Sequence, residues 1–275
     1  MYSLGQCATL ACLWEATAPK PGNVHRGADF ETLSFFDFVT SAVVIGPIME
    51  QAGAQPLGRT IFEAVQATRA AVHTNTNLGT VLLLAPLAKV PRSQSLGGGV
   101  ADVLASLTPA DSEWVYEAIR TAAAGGLGQV NEFDIRGEPP PRLLAAMALA
   151  APRDLVARQY VEQFDTVLNR VVPEILAGRE RGWSLSDTII QTQLRLLGDF
   201  PDSLIARKCG EPTAQQASAM ALSVLSAGEP ADENYEHALA DFDFWLRSDG
   251  HRRNPGTTAD LIAAGLFAAL RDGLL

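Results

Sequence analysis

Residues Leu155–Leu176 read LVARQYVEQFDTVLNRVVPEIL. The apolar positions Val156, Tyr160, Phe164, Val167, Val171 and Ile175 fall at steps of four, four, three, four and four. Side chains three or four residues apart share one face of an α-helix, so the spacing predicts one amphipathic helix with one buried stripe. The same period extends outward along the chain. Residues 231–249 carry Tyr235, Leu239, Phe242 and Leu246 on one face, with Asp241 and Asp243 beside it. Residues 141–151, 214–227 and 258–270 are rich in helix formers, and 3–16, 34–52, 59–73, 77–89, 98–107 and 111–124 read as helices too. Val43-Val44-Ile45 and Val81–Leu84 suit strands but sit inside helix-like windows, and no turn dipeptide joins two alternating runs. The fold is expected to be all-α: one domain over residues 1–275, built from about a dozen helices. The glycine runs at Gly97–Gly99 and Gly125-Gly126-Leu127-Gly128 are too short to tether separate domains.

The 275 residues include 21 Lys+Arg and 31 Asp+Glu, a formal charge of −10. Such a balance argues against sequence-independent nucleic-acid binding, and equally against an anionic membrane surface. Hydrophobic residues make up 47% and charged residues 19%, which suits a packed core rather than disorder. The longest apolar run, Val81–Ala88, falls far short of the roughly 20 residues that span a bilayer. Met1–Glu15 has neither a basic start nor a long apolar stretch, so no signal peptide is expected. Cys7, Cys12 and Cys209 form no Cys-x-x-Cys pair and suit reduced thiols in a cytoplasmic protein.

No phosphate-loop, H-E-x-x-H or G-x-S-x-G motif is present. Gly125-Gly126-x-Gly128 lacks the strand–helix context of a dinucleotide fingerprint, and the four histidines are dispersed. Polar chemistry is instead concentrated in four segments. Glu15–Arg26 sets Lys20 between two prolines, followed by Gly22, Asn23 and Arg26. It is either an anion cradle or a stiff turn with Lys20 in solvent. If Lys20 is exposed, Lys20→Ala should weaken nucleotide binding far more than folding. His73–Gly79 places Thr74, Asn75, Thr76 and Asn77 before an apolar helix, more polar groups than a cap needs. Arg252–Asp260 enters the last helix. There Thr257 and Asp260 resemble a capping box, while the arginines upstream suit a phosphate and the carboxylate a metal. Arg207 and Lys208, before Gly210, suit either a phosphate chain or a helix C-terminus.

The order P-K-P-G-N-V at Pro19–Val24, N-T-N-L-G at Asn75–Gly79 and N-P-G-T-T-A-D-L at Asn254–Leu261 resembles the triphosphoribosyl-dephospho-CoA synthase family. The resemblance spans nearly the whole chain. It implies an all-helical transferase in which a hydroxyl of dephospho-CoA attacks the ribose C1′ of ATP, adenine leaves and the triphosphate stays on the sugar. It further implies that the triphosphate is gripped by Lys20, Arg207, Lys208, Arg252 and the N–H groups of Gly256–Thr258. Gly22, Asn23, Arg26, Asn75, Thr76, Asn77 and Asn254 complete the nucleotide site. Asp260 and Glu15 are implied as Mg²⁺ ligands, and Glu15 and Asp29 as candidate catalytic carboxylates, with Glu15 taking the proton of the attacking hydroxyl. The chain differs from the family pattern at His25, Leu78, Asn254, Thr257 and Thr258, so another cofactor precursor, as in tetrahydromethanopterin synthesis, stays open as acceptor. So do an N-glycoside hydrolase on a related scaffold, a non-catalytic nucleotide-binding protein, and a homodimer as the assembly.

Overall fold

The computed structural model describes residues 2–123 and 132–275. Within them the chain forms fourteen α-helices. The first nine are α1 (Leu4–Thr17), α2 (Phe35–Glu50), α3 (Leu57–Val72), α4 (Leu78–Lys89), α5 (Leu96–Ala105), α6 (Pro109–Ala122), α7 (Leu143–Ala150), α8 (Leu155–Val161) and α9 (Val172–Glu180). They are followed by α10 (Leu185–Asp199), α11 (Ser203–Cys209), α12 (Glu211–Ala227), α13 (Glu233–Arg247) and α14 (Gly256–Arg271). Ser3, Ser34, Asp154, Ser184 and Asp202 start their helices by accepting N–H donors that the first turn leaves open. Among the described residues the β-structure is one isolated bridge, His25 to Ala28. No helix there is long and apolar enough to cross a membrane. Gly125–Gly128 lies outside the described residues.

The stripe at 155–176 is buried throughout, but not by one helix. Val156, Tyr160, Phe164, Val167, Val171 and Ile175 are all in the core. Between α8 and α9, however, Gln163 and Phe164 take left-handed φ values of 52° and 65°, and Val167–Val171 winds as a π-turn. Left-handed backbone costs a non-glycine residue about 1–2 kcal/mol. Burial of the Phe164 ring against Tyr160, centroids 5.9 Å apart, offsets it. Hydrophobic spacing reports which face is buried; it does not report whether the backbone runs on unbroken. Two further helices, α10 and α11, were not assigned from periodicity; the buried side of α10 mixes Ile189, Ile190, Leu194, Leu196 and Leu197 with Thr188, Gln191, Thr192 and Gln193.

α14 is the axis of the molecule. Its residues from Leu261 to Arg271 are all buried, so it is apolar on every side and takes neighbours on every side. α1, α4, α8, α9, α10 and α11 pack around it. At Gly265 an added Cβ would lie 2.4 Å from Val171 Cγ1, so only glycine lets the π-turn approach. A second apolar cluster joins α10 to α13 through Leu194, Leu197, Ala217, Tyr235, Phe242 and Leu246. Because α14 is fixed on all sides, its N-terminal turn, residues 256–260, is held against the N-termini of α4 and α11.

Candidate active site

The polar segments meet at one cavity of about 460 Å³. Glu15 and Asn23, Asn75–Thr80, Asp154, Arg207 and Lys208, and Asn254, Gly256, Thr257, Ala259 and Asp260 all contribute to its wall. These residues come from the ends of α1, α4, α8, α11 and α14. Phe38, Leu82, Ile119 and Met147 supply an apolar side.

Asp260 is bound into this wall by α4. Its Oδ1 accepts from Thr80 Oγ1 at 2.5 Å. A Cβ placed on Gly79 would sit 2.0 Å from Asp260 Oδ2, so glycine is required for the carboxylate to lie against the first turn of α4. Burial, with the negative charges of Glu15, Asp202 and Asp154 adding to it, pushes the Asp260 carboxyl up to about 8. Asp260 is therefore not the second half of a capping box: Thr257 Oγ1 accepts from Ser203 Oγ at 3.1 Å, and neither side chain caps α14. Gly79→Ala should displace the carboxylate, cost about 1–3 kcal/mol as other overpacked sites do, and reduce turnover along with it. Thermal melting and a transfer assay on the same preparation check both.

The Asn/Thr run is divided among separate partners. Asn75 Oδ1 accepts from Leu78 N at 3.1 Å, Thr76 Oγ1 meets Ser41 Oγ at 2.6 Å, and Asn77 Nδ2 donates to Thr68 Oγ1 at 3.1 Å. All three residues still face the cavity. On the opposite wall Arg207 pairs with Asp154, whose other oxygen caps α8 through Val156 N and Ala157 N. Arg207 Nε is buried with no hydrogen-bond partner, a donor left open. Lys208 beside it is pulled below the usual lysine range by burial. Asp202 lies behind this wall, fully buried. It accepts from Leu204 N and Ile205 N on α11 and from Thr258 N and Oγ1 on α14, at 2.7–3.1 Å. Burial still raises its carboxyl above the usual range, against the pull of those donors. Thr258 is thus committed to joining two helix starts and does not line the cavity.

Lys20 is the clearest departure from expectation. It is 0% exposed. Its ammonium meets Glu15 Oε1 at 2.8 Å and the carbonyl oxygens of Glu15 and Ala18, so it is a buried ion-pair partner and not a solvated cation. It holds the Glu15 side chain at the cavity wall from behind. Gly22, with φ 73°, lies against Leu246 and Pro255 and donates its N–H to Asp243 at 2.7 Å. Arg26 is exposed and outside the cavity lining, and Asp29 accepts from Phe35 N at 2.6 Å, at the entry to α2. Arg252 is exposed, with its guanidinium on Lys208 O and near Asp249. The structure therefore brings together Glu15, Asn23, Asn75, Thr76, Asn77, Arg207, Lys208, Asn254, Gly256, Thr257 and Asp260. It sets Lys20, Gly22, Arg26, Asp29, Arg252 and Thr258 outside the lining.

Three motifs, the first and last more than 200 residues apart, thus close on one cavity, and the chain matches one family over residues 1–275: ATP:dephospho-CoA triphosphoribosyl transferase. The chain belongs to that family. It is accordingly placed among transferases of cofactor biosynthesis. A crystal structure from Archaeoglobus fulgidus, provisionally assigned as a triphosphoribosyl-dephospho-CoA synthase, is similar at a TM-score of 0.65 and 25% identity. The match covers 85% of this chain and 98% of that one. No curated protein sequence matches significantly. For a member of this family, Asp154, Thr80, Arg69 and Asp202 are the residues that reading motifs missed. Asp154 and Asp202 each precede a short helix, an N-cap signal, but their partners are distant in sequence. Thr80 directly follows N-T-N-L-G. Arg69, on the last turn of α3, carries no motif signal and lines the cavity.

Proposed function

We propose that this chain transfers the triphosphoribosyl unit of ATP to dephospho-CoA, or to a related cofactor precursor, within this cavity. The observation that carries the reading is the convergence of the three family motifs on a wall holding both cations and carboxylates. The triphosphate lies along Arg207, Lys208 and Arg69, near the starts of α4 and α14, where helix dipoles favour negative charge. The apolar side, with Phe38, Leu82 and Ile119, receives a base or an aliphatic arm. Glu15, held by Lys20, takes the proton of the attacking hydroxyl. As the acceptor oxygen bonds to C1′, the C1′–N bond to adenine breaks, and the proton lost by the hydroxyl balances the one adenine needs to leave neutral.

Mg²⁺ fits the donor set. Among the described residues no group of three or more His, Cys, Asp or Glu forms a metal cage. Mg²⁺ needs only one or two carboxylates when substrate phosphates and water complete its shell. Asp260 is a partly buried carboxylate whose surroundings disfavour its charge, and a cation would relieve that. Asp260 and Glu15 would hold the ion, which when bound neutralises phosphate charge. Three unpaired cysteines suit a reducing cytoplasm.

Incubation with ATP, Mg²⁺ and dephospho-CoA should release free adenine and add the mass of a triphosphoribosyl group to the acceptor. Base release without an acceptor adduct would instead favour hydrolysis, and nucleotide binding without either product would favour a non-catalytic role. Arg207→Ala should raise KM for ATP by about 10–100-fold, the cost of one or two charge-assisted contacts. An unchanged KM would remove Arg207 from the triphosphate site.

A further inference from the structure

Gln193, on α10, lies outside every motif and is 0% exposed. Its side chain begins a chain of amides that ends in the cavity. Gln193 Nε2 donates to Pro21 O at 3.0 Å and to Asn23 Oδ1 at 2.7 Å. Asn23 Nδ2 donates to Asn254 Oδ1 at 2.7 Å. The order of donors and acceptors is dictated from one end. A peptide carbonyl can only accept, so the Gln193 atom facing Pro21 O is its NH₂. The Asn23 atom facing that NH₂ must then be oxygen, which turns Asn23 Nδ2 toward Asn254 and makes the Asn254 atom facing it oxygen. Asn254 Nδ2 is left with both N–H groups at the start of α14, where it lies 3.6 Å from the Cβ position of Gly256. Arg247 Nη2 holds the Asn23 backbone from the other side, through Asn23 O at 2.7 Å.

We propose that Gln193 is a positioning residue for the transferase reaction: through Asn23 it sets the amide of Asn254 to present donors, not an acceptor, to the anionic nucleotide. This rests on the proposed ATP site. Two separate motif segments supply the amides of Asn23 and Asn254, but an amide has two ends; only the buried glutamine decides which end meets the ligand.

Gln193→Glu reverses the relay while keeping the shape. The new carboxylate loses the bond to Pro21 O but accepts at Asn23 where the amide donated, so Asn23 turns its NH₂ toward it, and Asn254 then answers Asn23 Oδ1 with its own NH₂. The Asn254 oxygen faces the cavity. Gln193→Met removes both hydrogen bonds and imposes neither direction. In steady-state assays with ATP and acceptor, Q193E should raise KM for ATP at least tenfold with kcat changed by less than threefold. Q193M should raise it less, although it deletes more bonding. A purely structural glutamine would instead lower kcat and raise KM together, in proportion to each variant's loss of melting temperature. Wild-type KM in Q193E, or a larger KM in Q193M than in Q193E, would overturn the proposal. If Q193E does not fold, Asn23→Asp delivers the same reversal from the cavity wall, because it accepts from Gln193 but has no donor for Asn254; wild-type KM there overturns it equally. An inactive wild-type protein would defeat the ATP reading instead, a distinct result.

Discussion

Asp260→Asn is expected to lower triphosphoribosyl transfer by about a thousandfold, equivalent to about 4 kcal/mol of transition-state stabilisation, in a protein that remains folded. The amide keeps the size of the carboxylate and can still meet Thr80 Oγ1, so the contact with α4 persists. What is lost is the negative charge that the proposed site would offer to a metal–phosphate complex. The same substitution should alter the pH dependence of stability. Asp260 has its folded carboxyl pushed up to about 8 from an ordinary value of 3.8. Between those values the folded state holds a proton that the unfolded chain releases, so stability falls as pH rises, by about 1.4 kcal/mol per pH unit. The contribution is whole below pH 4 and gone above pH 8. D260N lacks this term. In metal-free buffer its melting temperature should rise relative to that of the wild type from pH 5 to pH 8 and level off above that. Parallel melting curves would show that Asp260 is ionised at neutral pH in the folded protein; wild-type turnover would remove it from the reaction.

Lys20→Ala carries the second large effect, on stability. Removing one partner of a buried ion pair leaves the other charged and unsolvated, which typically costs 3–5 kcal/mol. Glu15 loses its ion-pair partner, while the carbonyls of Glu15 and Ala18 lose a donor. Denaturant unfolding of K20A should show a loss of about that size. The double variant Lys20→Met with Glu15→Gln should recover most of it, because no unpaired charge remains. A loss below about 1 kcal/mol would match an exposed lysine and contradict the burial. The effect on ATP binding follows only through Glu15, the reverse of what an exposed lysine in P-K-P-G-N-V implies.

The contrast at Lys20 shows where sequence reading stops. Two prolines and a glycine identify a stiff turn, and that turn is present. Whether the lysine within it faces water depends on the packing around its side chain and on Glu15, one helical turn behind, bending back to meet it. At Leu155–Leu176 the burial pattern was legible to the residue, because each apolar side chain must leave water whatever the backbone does. The break at Gln163–Phe164 was not, because left-handed φ at two non-glycine residues has no local signal and is sustained by the core around Phe164. On α10 threonines and glutamines share the buried face with isoleucines and leucines, and they read as surface until their partners are known.

The all-α class, the single domain and the three motif segments follow from the sequence alone. Helical periodicity, capping residues and polar clustering are properties of neighbours along the chain. The cavity itself was decided by tertiary structure. Thr80 and Asp260, Asp202 and Thr258, and Gln193, Asn23 and Asn254 are brought together only when α14 is enclosed by six other helices. Burial then assigns charge: Lys20 becomes an internal counter-ion, while desolvation disfavours ionisation of Asp260. The two outcomes share one physical reason. Local preference acts through sequence spacing, whereas desolvation and hydrogen-bond pairing act through distance in space.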